Sequence, residues 1–447
     1  FKKKKKKFTN KFIDKIYKNF SYKLTNNQKS VIKEINEDIS SDKRMFRLLQ
    51  GDVGSGKTIV ALIAAANVIE SNHQVALMAP TEILAIQHYE NAKKIYSSLG
   101  ISIEIITGST SNQNKLIILE KLKKGEIDFL IGTHALFQKK INFLNLGFII
   151  IDEQHKFGVK QRMNLAKKGG DNCDVLLMSA TPIPRTMMMT IYGDLDVSQI
   201  SEKPKGRKNI ITLSKPEEKI NELWPLIKKN IKEKNQVFWV CPLIDESKNL
   251  NYSSAIKKFE YINKKFPQRV GLIHGSLNKF EKEHILNKFL NKEIDILVST
   301  TVIEVGIDFP DANLIIIENS NKFGLAQLHQ LRGRVGRGSK EGMCILLYKK
   351  SLSSNAIKRI KILKSSDNGF FIAEEDMKLR GFGDIIGFQQ SGIKYFRLAD
   401  PVHHSELFKI AESHIKEINA SVHEIESKYS LLLKLFDKAE VISDDLS

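Results

Sequence analysis

The sequence predicts an α/β protein made of two parallel-sheet lobes in tandem, followed by a mainly helical C-terminal region. Short apolar runs alternate with helical stretches through residues 21–200 and again through 210–350, the rhythm of strand–helix–strand units in parallel sheets. A glycine-rich loop joins an apolar run to a small-residue helix near the start of the first block. From about Ser351 the pattern is helical to the end, broken by one glycine-rich loop.

Unbroken apolar runs indicate the strands, since a parallel strand is covered on both faces. In the first block the predicted strands are Met45–Leu49, Val75–Met78, Ile103–Ile106, Phe129–Ile131, Leu146–Ile151 and Val175–Met178. In the second block they are Val237–Val240, Val270–Ile273, Ile294–Val298, Leu314–Ile317 and Cys344–Leu347.

These patterns divide the 447 residues into five predicted segments. They are a basic tail or linker (1–20), the first lobe (21–200), a polar linker containing Pro and Gly (201–209), the second lobe (210–350) and a helical region with a C-terminal tail (351–447).

The charge balance predicts a polyanionic partner. Seventy basic and 51 acidic residues give a net charge of +19, and nucleic acid is the commonest partner of so basic a protein. A lysine-rich proteome encoded by an A·T-rich genome is the alternative. No stretch approaches the length of a membrane span. The three cysteines, Cys173, Cys241 and Cys344, lack a C-x-x-C pair, which argues against zinc and disulfides and fits a reducing cytoplasm.

Residues 51–58 form a complete phosphate-binding loop of the pattern G-x-x-x-x-G-K-[ST], placed between the strand Met45–Leu49 and a helix over Ile59–Ile69. Backbone N–H groups of such a loop surround phosphate oxygens at the positive end of the helix. Lys57 is expected to reach the β- and γ-phosphates of ATP, and Thr58 to hold Mg²⁺. The predicted nucleotide-binding residues of the loop are Gly51, Asp52, Gly54, Ser55, Gly56, Lys57 and Thr58.

Two acids follow the predicted strand Leu146–Ile151. Carboxylates at the carboxyl end of a central parallel strand lie beside the phosphate site of an open α/β sheet. We expect Asp152 to hold Mg²⁺ and Glu153 to orient or deprotonate the attacking water.

Three further segments, Ser179–Thr186, Thr300–Asp308 and Gln330–Arg337, follow in the order of the motifs of superfamily 2 helicases, which this chain resembles. The resemblance implies two RecA-like lobes, with ATP in the cleft between them and nucleic acid crossing both. It adds Gly306 and Asp308 to the nucleotide site. Arg334 and Arg337 would be arginine fingers that stabilise charge when the lobes close. The alternative is that these arginines and Arg332 form a basic turn that binds phosphate backbone.

Residues 21–400 resemble the RecG family of bacterial branched-DNA helicases almost continuously. Matching blocks include Gly51–Thr58, Ile151–Gly158 and Phe323–Gly338. The transcription-repair coupling factor shares much of this, but Ser55 and Gln154 favour RecG. The resemblance implies an ATP- and Mg²⁺-dependent double-stranded-DNA translocase that remodels stalled forks and Holliday-type junctions in DNA repair and recombination. We expect a monomer in the bacterial cytoplasm, associated with the nucleoid, and a single-strand-binding protein is a candidate partner.

The segment Ile372–Gly392 resembles the helical-hairpin-and-loop translocation motif of these two families. Arg380 and Gln390 would contact the duplex there. Leu24–Gln28 resembles the adenine-sensing segment, in which Gln28 would pair with an adenine edge. The family's DNA-backbone contacts are matched at Thr81, Thr133, His134 and His274.

RecG carries an N-terminal wedge domain, and this chain begins at Phe1 in the basic linker that would follow it. We therefore expect either a fragment or a short relative. Three alternatives remain at this stage: a coupling-factor-like translocase acting on RNA polymerase, a nucleotide-binding scaffold without turnover, and an RNA helicase.

Overall fold

The structure is a computed structural model that describes residues 3–19, 23–137, 140–153, 170–180, 195–202, 204, 209–242, 253–300, 309–336, 340–350, 352–380 and six single positions between 404 and 414. Helices and strands are numbered over these residues. Both sheets belong to one compact unit, Phe1–Pro184 with Leu195–Leu379. A second unit, Arg185–Asp194 with Arg380–Ser447, lies almost wholly outside the described residues.

The first lobe is a seven-stranded parallel sheet in the order β3-β4-β2-β5-β6-β1-β7. Its strands are β1 (Phe46–Gly51), β2 (Gln74–Met78), β3 (Ile103–Ile106), β4 (Phe129–Gly132), β5 (Leu146–Ile151), β6 (Asp174–Ser179) and β7 (Asp196–Ile200). Its helices are α1 (Lys11–Asn19), α2 (Asn26–Ser40), α3 (Lys57–Glu70), α4 (Glu82–Tyr96) and α5 (Asn112–Lys124), with 3₁₀ turns at His134–Phe137 and Gly170–Asn172.

The second lobe is a six-stranded parallel sheet in the order β10-β11-β9-β12-β13-β8. Its strands are β8 (Ile210–Pro216), β9 (Gln236–Val240), β10 (Val270–Ile273), β11 (Ile296–Ser299), β12 (Ala312–Ile317) and β13 (Gly342–Tyr348). Its helices are α6 (Trp224–Lys232), α7 (Ser253–Lys265), α8 (Lys279–Leu290) and α9 (Leu325–Arg332), followed by α10 (Ser354–Ser365) and α11 (Gly369–Arg380); 3₁₀ turns span Glu217–Leu223 and Ser320–Lys322.

The predicted fold class is confirmed, and the central strands explain why it was visible in the sequence. Every residue of β2, β5, β6 and β9 is buried, because helices cover both faces of each sheet. Parallel strands bring their carboxyl ends to one edge of a sheet, and there β1 runs directly into the phosphate loop.

Two strands escaped prediction, and each lies at the edge of its sheet. β7 pairs with β1, and β8 pairs with β13. Polar residues interrupt the apolar residues of both strands, so neither contains an unbroken apolar run. Edge strands are often polar in this way because only one of their sides is paired.

Residues 3–19, within the predicted basic tail or linker, pack on the first lobe. The Nζ atoms of Lys3 and Lys6 lie 2.6 and 2.7 Å from the two carboxylate oxygens of Asp174, and all three side chains are buried. Ile13 and Ile16 of α1 join the core of the first lobe. Burial lowers the pKa of the Lys3 ammonium although the charge of Asp174 opposes this shift. The sequence does not indicate this ion cluster, because Asp174 lies far along the chain from the two lysines.

Among the described residues, no helix is both long enough and apolar enough to span a bilayer.

The lysine–aspartate cluster makes a stability prediction. Asp174→Ala leaves two buried ammonium groups without their carboxylate and removes the acceptor of the Met45 N–H, 2.8 Å from Asp174 Oδ1. We expect a loss of about 3–5 kcal/mol in the free energy of unfolding, measured by urea denaturation. Asp196→Ala, at an exposed position of β7, is the matched control. An equal, small loss in both variants would contradict a structural role for the cluster.

Candidate functional site

The phosphate loop lies between β1 and α3. Gly54 and Gly56 adopt left-handed φ angles of 74° and 88°, which only glycine adopts without strain. A Cβ atom on Gly56 would also collide with the amide nitrogen of Gln28. Lys57 Nζ donates to the carbonyl oxygens of Gly51 (2.7 Å) and Asp52 (3.0 Å), so this ammonium lies over the loop.

The two predicted acids follow β5 and are both buried. Asp152 Oδ1 accepts the N–H of Glu153 (2.9 Å), and Asp152 Oδ2 lies 2.8 Å from Nε2 of His88 on α4. Glu153 Oε2 accepts the N–H of Ala180 (3.4 Å), directly after β6. Glu153 itself has a φ of 48°, a left-handed conformation that costs free energy in a residue with a side chain.

The surroundings shift the pKa values of the two acids in opposite directions. Burial raises the pKa of Glu153, and the neighbouring charge of Asp152 raises it further, against the attraction of Lys57 and Arg334. Burial would also raise the pKa of Asp152, but the His88 hydrogen bond and nearby positive charge outweigh it and hold that pKa below its usual value. Asp152 is therefore held in its ionised form, whereas Glu153 accepts a proton more readily than an ordinary glutamate.

Gln28 connects helix α2 to the phosphate loop. Its Nε2 donates to the carbonyl of Ser55 (2.8 Å), and its Oε1 accepts the N–H of Thr25 (2.9 Å). The Thr25 hydroxyl in turn accepts the N–H of Gln28, which completes a capping box at the start of α2. In this arrangement the side-chain amide supports the loop; its pairing with adenine remains a prediction.

The second lobe reaches the loop through the end of α9. His329 Nε2 lies 2.8 Å from Asp52 Oδ1, and a Cβ on Gly333 would come within 3.0 Å of Val53. Arg334 is buried, and its charge acts on Glu153. The structure thus brings Arg334 to the side of the first lobe that carries the acids.

Arg332 does not fit the alternative of a basic turn on nucleic acid. Only 2% of the residue is exposed. Its Nη1 donates to the carbonyls of Leu363 and Ser366 at the end of α10, and its Nη2 lies 2.8 Å from Nδ1 of His329. These contacts hold the guanidinium inside the second lobe.

The predicted DNA-backbone residues all follow strands. Thr81 comes after β2 and caps α4 by accepting the N–H of Leu84 (3.3 Å). Thr133 and His134 come after β4, the threonine buried and the histidine exposed. His274 comes after β10, and burial with the charge of Lys282 lowers its pKa. They therefore lie at the carboxyl edges of their sheets, where the fold places ligands.

Several predicted site residues lie outside the described residues. They are Gly306, Asp308, Arg337, Gln390 and the side chain of Arg380.

Three family models match successive parts of the chain. They are the DEAD/DEAH box helicase (residues 25–190), the helicase conserved C-terminal domain (218–339) and the C-terminal part of domain 3 of the ATP-dependent DNA helicase RecG (366–439). The ATP-dependent DNA helicase RecG of Thermotoga maritima is 46% identical over 96% of this chain and 55% of its own length. That of Bacillus subtilis is 43% identical over 93% of this chain and 61% of its own length.

The chain belongs to the RecG helicase family. It spans about half the length of the RecG relatives it matches. The solved structure of RecG bound to a three-way DNA junction superimposes with a TM-score of 0.78 at 43% identity, over 91% of this chain and 53% of that one. The Mss116p structure shares the fold, with a TM-score of 0.59 at 20% identity over 80% of this chain and 76% of its own.

Two site residues were missed by the sequence analysis. His88 lies on the buried face of α4 with Leu84, Ala85 and Ala92, and a histidine in such an apolar stripe was a usable signal. Its carboxylate partner is 64 residues away, however, and no local pattern indicates that distance. His329 stands inside a motif already noticed, but its partner lies in the other lobe.

The raised pKa of Glu153 predicts a pH-dependent change in stability. When folding raises the pKa of a carboxyl group, ionising that group lowers the stability of the folded state. The full cost applies at pH values above the folded-state pKa, and there is no cost below the ordinary pKa of about 4.3. Glu153→Gln should therefore melt at a higher temperature than the parent at pH 8. The difference should vanish near pH 4.

Glu126→Gln, at an exposed position after α5, is the control for loss of a carboxylate. Calorimetry of the three proteins at both pH values is the measurement. A Glu153→Gln variant that melts below the parent at pH 8 would show that the charge is stabilised by its neighbours.

Proposed function

We propose that this chain is the motor part of an ATP-dependent DNA helicase that translocates on duplex DNA and remodels stalled forks and Holliday-type junctions. One observation carries the proposal: Lys57, Asp152 and Glu153 of the first lobe and Arg334 of the second converge on one phosphate loop. The RecG relatives supply the substrate class, since the solved RecG structure is bound to a three-way DNA junction.

In this proposal each group around the loop has one task in ATP hydrolysis. Lys57 leaves the loop carbonyls to contact the terminal phosphates. Glu153, with its raised pKa, orients the attacking water and accepts its proton. Arg334, together with Arg337, stabilises the charge that develops on the transferred phosphoryl group. Gln28 steadies the loop and would also contact adenine.

Asp152 and Thr58 would hold Mg²⁺. An ionised carboxylate and a hydroxyl are the oxygen ligands that Mg²⁺ takes beside nucleotide phosphates. Asp152 fits because its pKa is held low and His88 fixes its orientation. When bound, Mg²⁺ neutralises charge on the β- and γ-phosphates. Among the described residues, no group of three or more His, Cys, Asp or Glu side chains offers a protein-only metal site, and a nucleotide-dependent ion needs none.

Duplex DNA would bind along the carboxyl edges of both sheets. Thr81, Thr133, His134 and His274 stand there, and a net charge of +19 favours phosphate backbone. Helix α11 ends at Arg380, which with Gln390 would form the loop that contacts the duplex and converts hydrolysis into displacement.

We also propose the five segment boundaries given above, a monomer in the cytoplasm at the nucleoid, and a single-strand-binding protein as partner.

The test is steady-state ATPase activity titrated with single-stranded DNA, linear duplex, three-way junction DNA and RNA. Junction and duplex DNA should stimulate turnover most, and apparent DNA affinity should fall steeply between low and physiological salt as counterions are released. Strongest stimulation by RNA would favour an RNA helicase. Nucleotide binding without turnover would favour a scaffold, and stimulation only with RNA polymerase a coupling-factor-like translocase.

Lys57→Ala should reduce kcat of the ATPase at least 100-fold at unchanged melting temperature. The lysine is the loop residue whose charge would meet the terminal phosphates, and removing one such group costs about 10²–10³ in rate. Lys33→Ala, an exposed lysine of α2, is the matched control. Turnover of Lys57→Ala within a few-fold of the parent would place the reaction elsewhere.

A further inference from the structure

A line of hydrogen bonds joins the phosphate loop to the second lobe through one side chain, His329. On one side its Nε2 lies 2.8 Å from Asp52 Oδ1 of the loop. On the other side its Nδ1 lies 2.8 Å from Nη2 of Arg332. Arg332 continues the line to the carbonyls of Leu363 and Ser366, at the end of α10. His329 and Arg332 are both buried, at 6% and 2% exposure.

The two partners of His329, Asp52 and Arg332, determine which ring nitrogen carries the proton. A guanidinium is only a donor, so His329 Nδ1 must accept from Arg332. The remaining proton of a neutral ring then sits on Nε2, which donates to the carboxylate of Asp52. His329 is thus a neutral, oriented bridge whose two nitrogens have different and complementary partners.

Asp52 is a suitable target because its atoms also organise the loop. Its Oδ1 accepts the N–H of Val53 (2.7 Å), and its carbonyl accepts both the N–H of Ser55 (3.1 Å) and Lys57 Nζ (3.0 Å). A shift of Asp52 would therefore disturb the loop on which the phosphates are expected to rest. The hydrogen bond from His329 fixes the distance between that loop and α9.

Helix α9 ends at Arg332, and Arg334 follows two residues later. Gly333 packs against Val53 of the loop so closely that a Cβ atom would touch it. Leu325, Leu328 and Leu331 of α9 pack in the core of the second lobe, and that core also includes Ile83 of α4. The His329–Asp52 hydrogen bond is a directional contact between α9 and the loop.

We propose that His329 is a positioning residue for ATP hydrolysis: it clamps Asp52 of the phosphate loop to the arginine-bearing end of α9, so that Arg334 faces Glu153. This inference rests on the proposed ATPase function and adds a residue to it. His329 touches neither the phosphates nor the attacking water in this scheme. It acts through Asp52 and Arg332.

The test compares His329→Phe, which keeps the ring volume but neither hydrogen bond, with His329→Gln, whose amide offers one acceptor and one donor. His329→Phe should lower kcat about tenfold, roughly the value of one hydrogen bond of 1.4 kcal/mol, while KM for ATP changes less than twofold. His329→Gln should recover part of kcat. His284→Phe, at an exposed position of α8, is the matched control and should match the parent.

A double-mutant cycle with Asp52→Ala separates positioning from packing. If His329 acts through Asp52, the double variant Asp52→Ala with His329→Phe should lose little more kcat than Asp52→Ala alone. Additive losses would overturn the proposal, as would a His329→Phe variant with the parental kcat. A fall in kcat matched by a fall in melting temperature, with no recovery in His329→Gln, would assign the residue a packing role only.

If His329→Phe fails to fold, His329→Ala, which also makes neither hydrogen bond, replaces it in the cycle. Failure of the proposed function has a different signature: the parent itself would then show no DNA-stimulated turnover. If the parent hydrolyses ATP on duplex DNA and the His329 variants have the parental kcat, only this inference is overturned.

Discussion

Two adjacent carboxylates buried at the end of one strand set the arrangement of charge around the site. Asp152 and Glu153 repel each other where water cannot screen them, so the fold must surround them with donors and positive charge. These come from separate elements: Lys57 at the start of α3, His88 on α4, and Arg334 after α9 of the other lobe. Parallel topology makes this convergence feasible, since β5 lies within two strands of β1 and both end at the same edge.

The same constraint explains the strain and the opposed pKa shifts. Glu153 has a left-handed φ, and its carboxylate accepts the N–H of Ala180. The strands that lead to Glu153 and Ala180, β5 and β6, are fully buried, and well-packed surroundings of this kind can hold a residue in a costly conformation. Asp152 takes the stronger donors and stays ionised, which leaves Glu153 as the group of the pair that gains a proton.

How much the sequence could predict depended on the distance between partners. The central strands and the phosphate loop are local patterns, and the structure places them within one or two residues of the prediction. The edge strands β7 and β8 were missed because polar residues interrupt their apolar residues. The burial of Lys3 and Lys6, which fall in the predicted basic tail or linker, was not predicted because their partner Asp174 lies far along the chain. Gln28 was noticed, but its bond to Ser55 follows only from the folded loop.

The two histidines missed in the sequence clarify what each lobe contributes. His88 and His329 each place Nε2 2.8 Å from an aspartate beside the phosphate loop. The first pair, with Asp152, lies within one lobe. The orientation of the expected magnesium ligand therefore does not depend on the position of the second lobe. The second pair, with Asp52, exists only while α9 lies against the loop. Under the proposed function, the orientation of the expected magnesium ligand would depend on the first lobe alone. The alignment of Arg334 with Glu153 would depend on both lobes, which would make hydrolysis conditional on their closure.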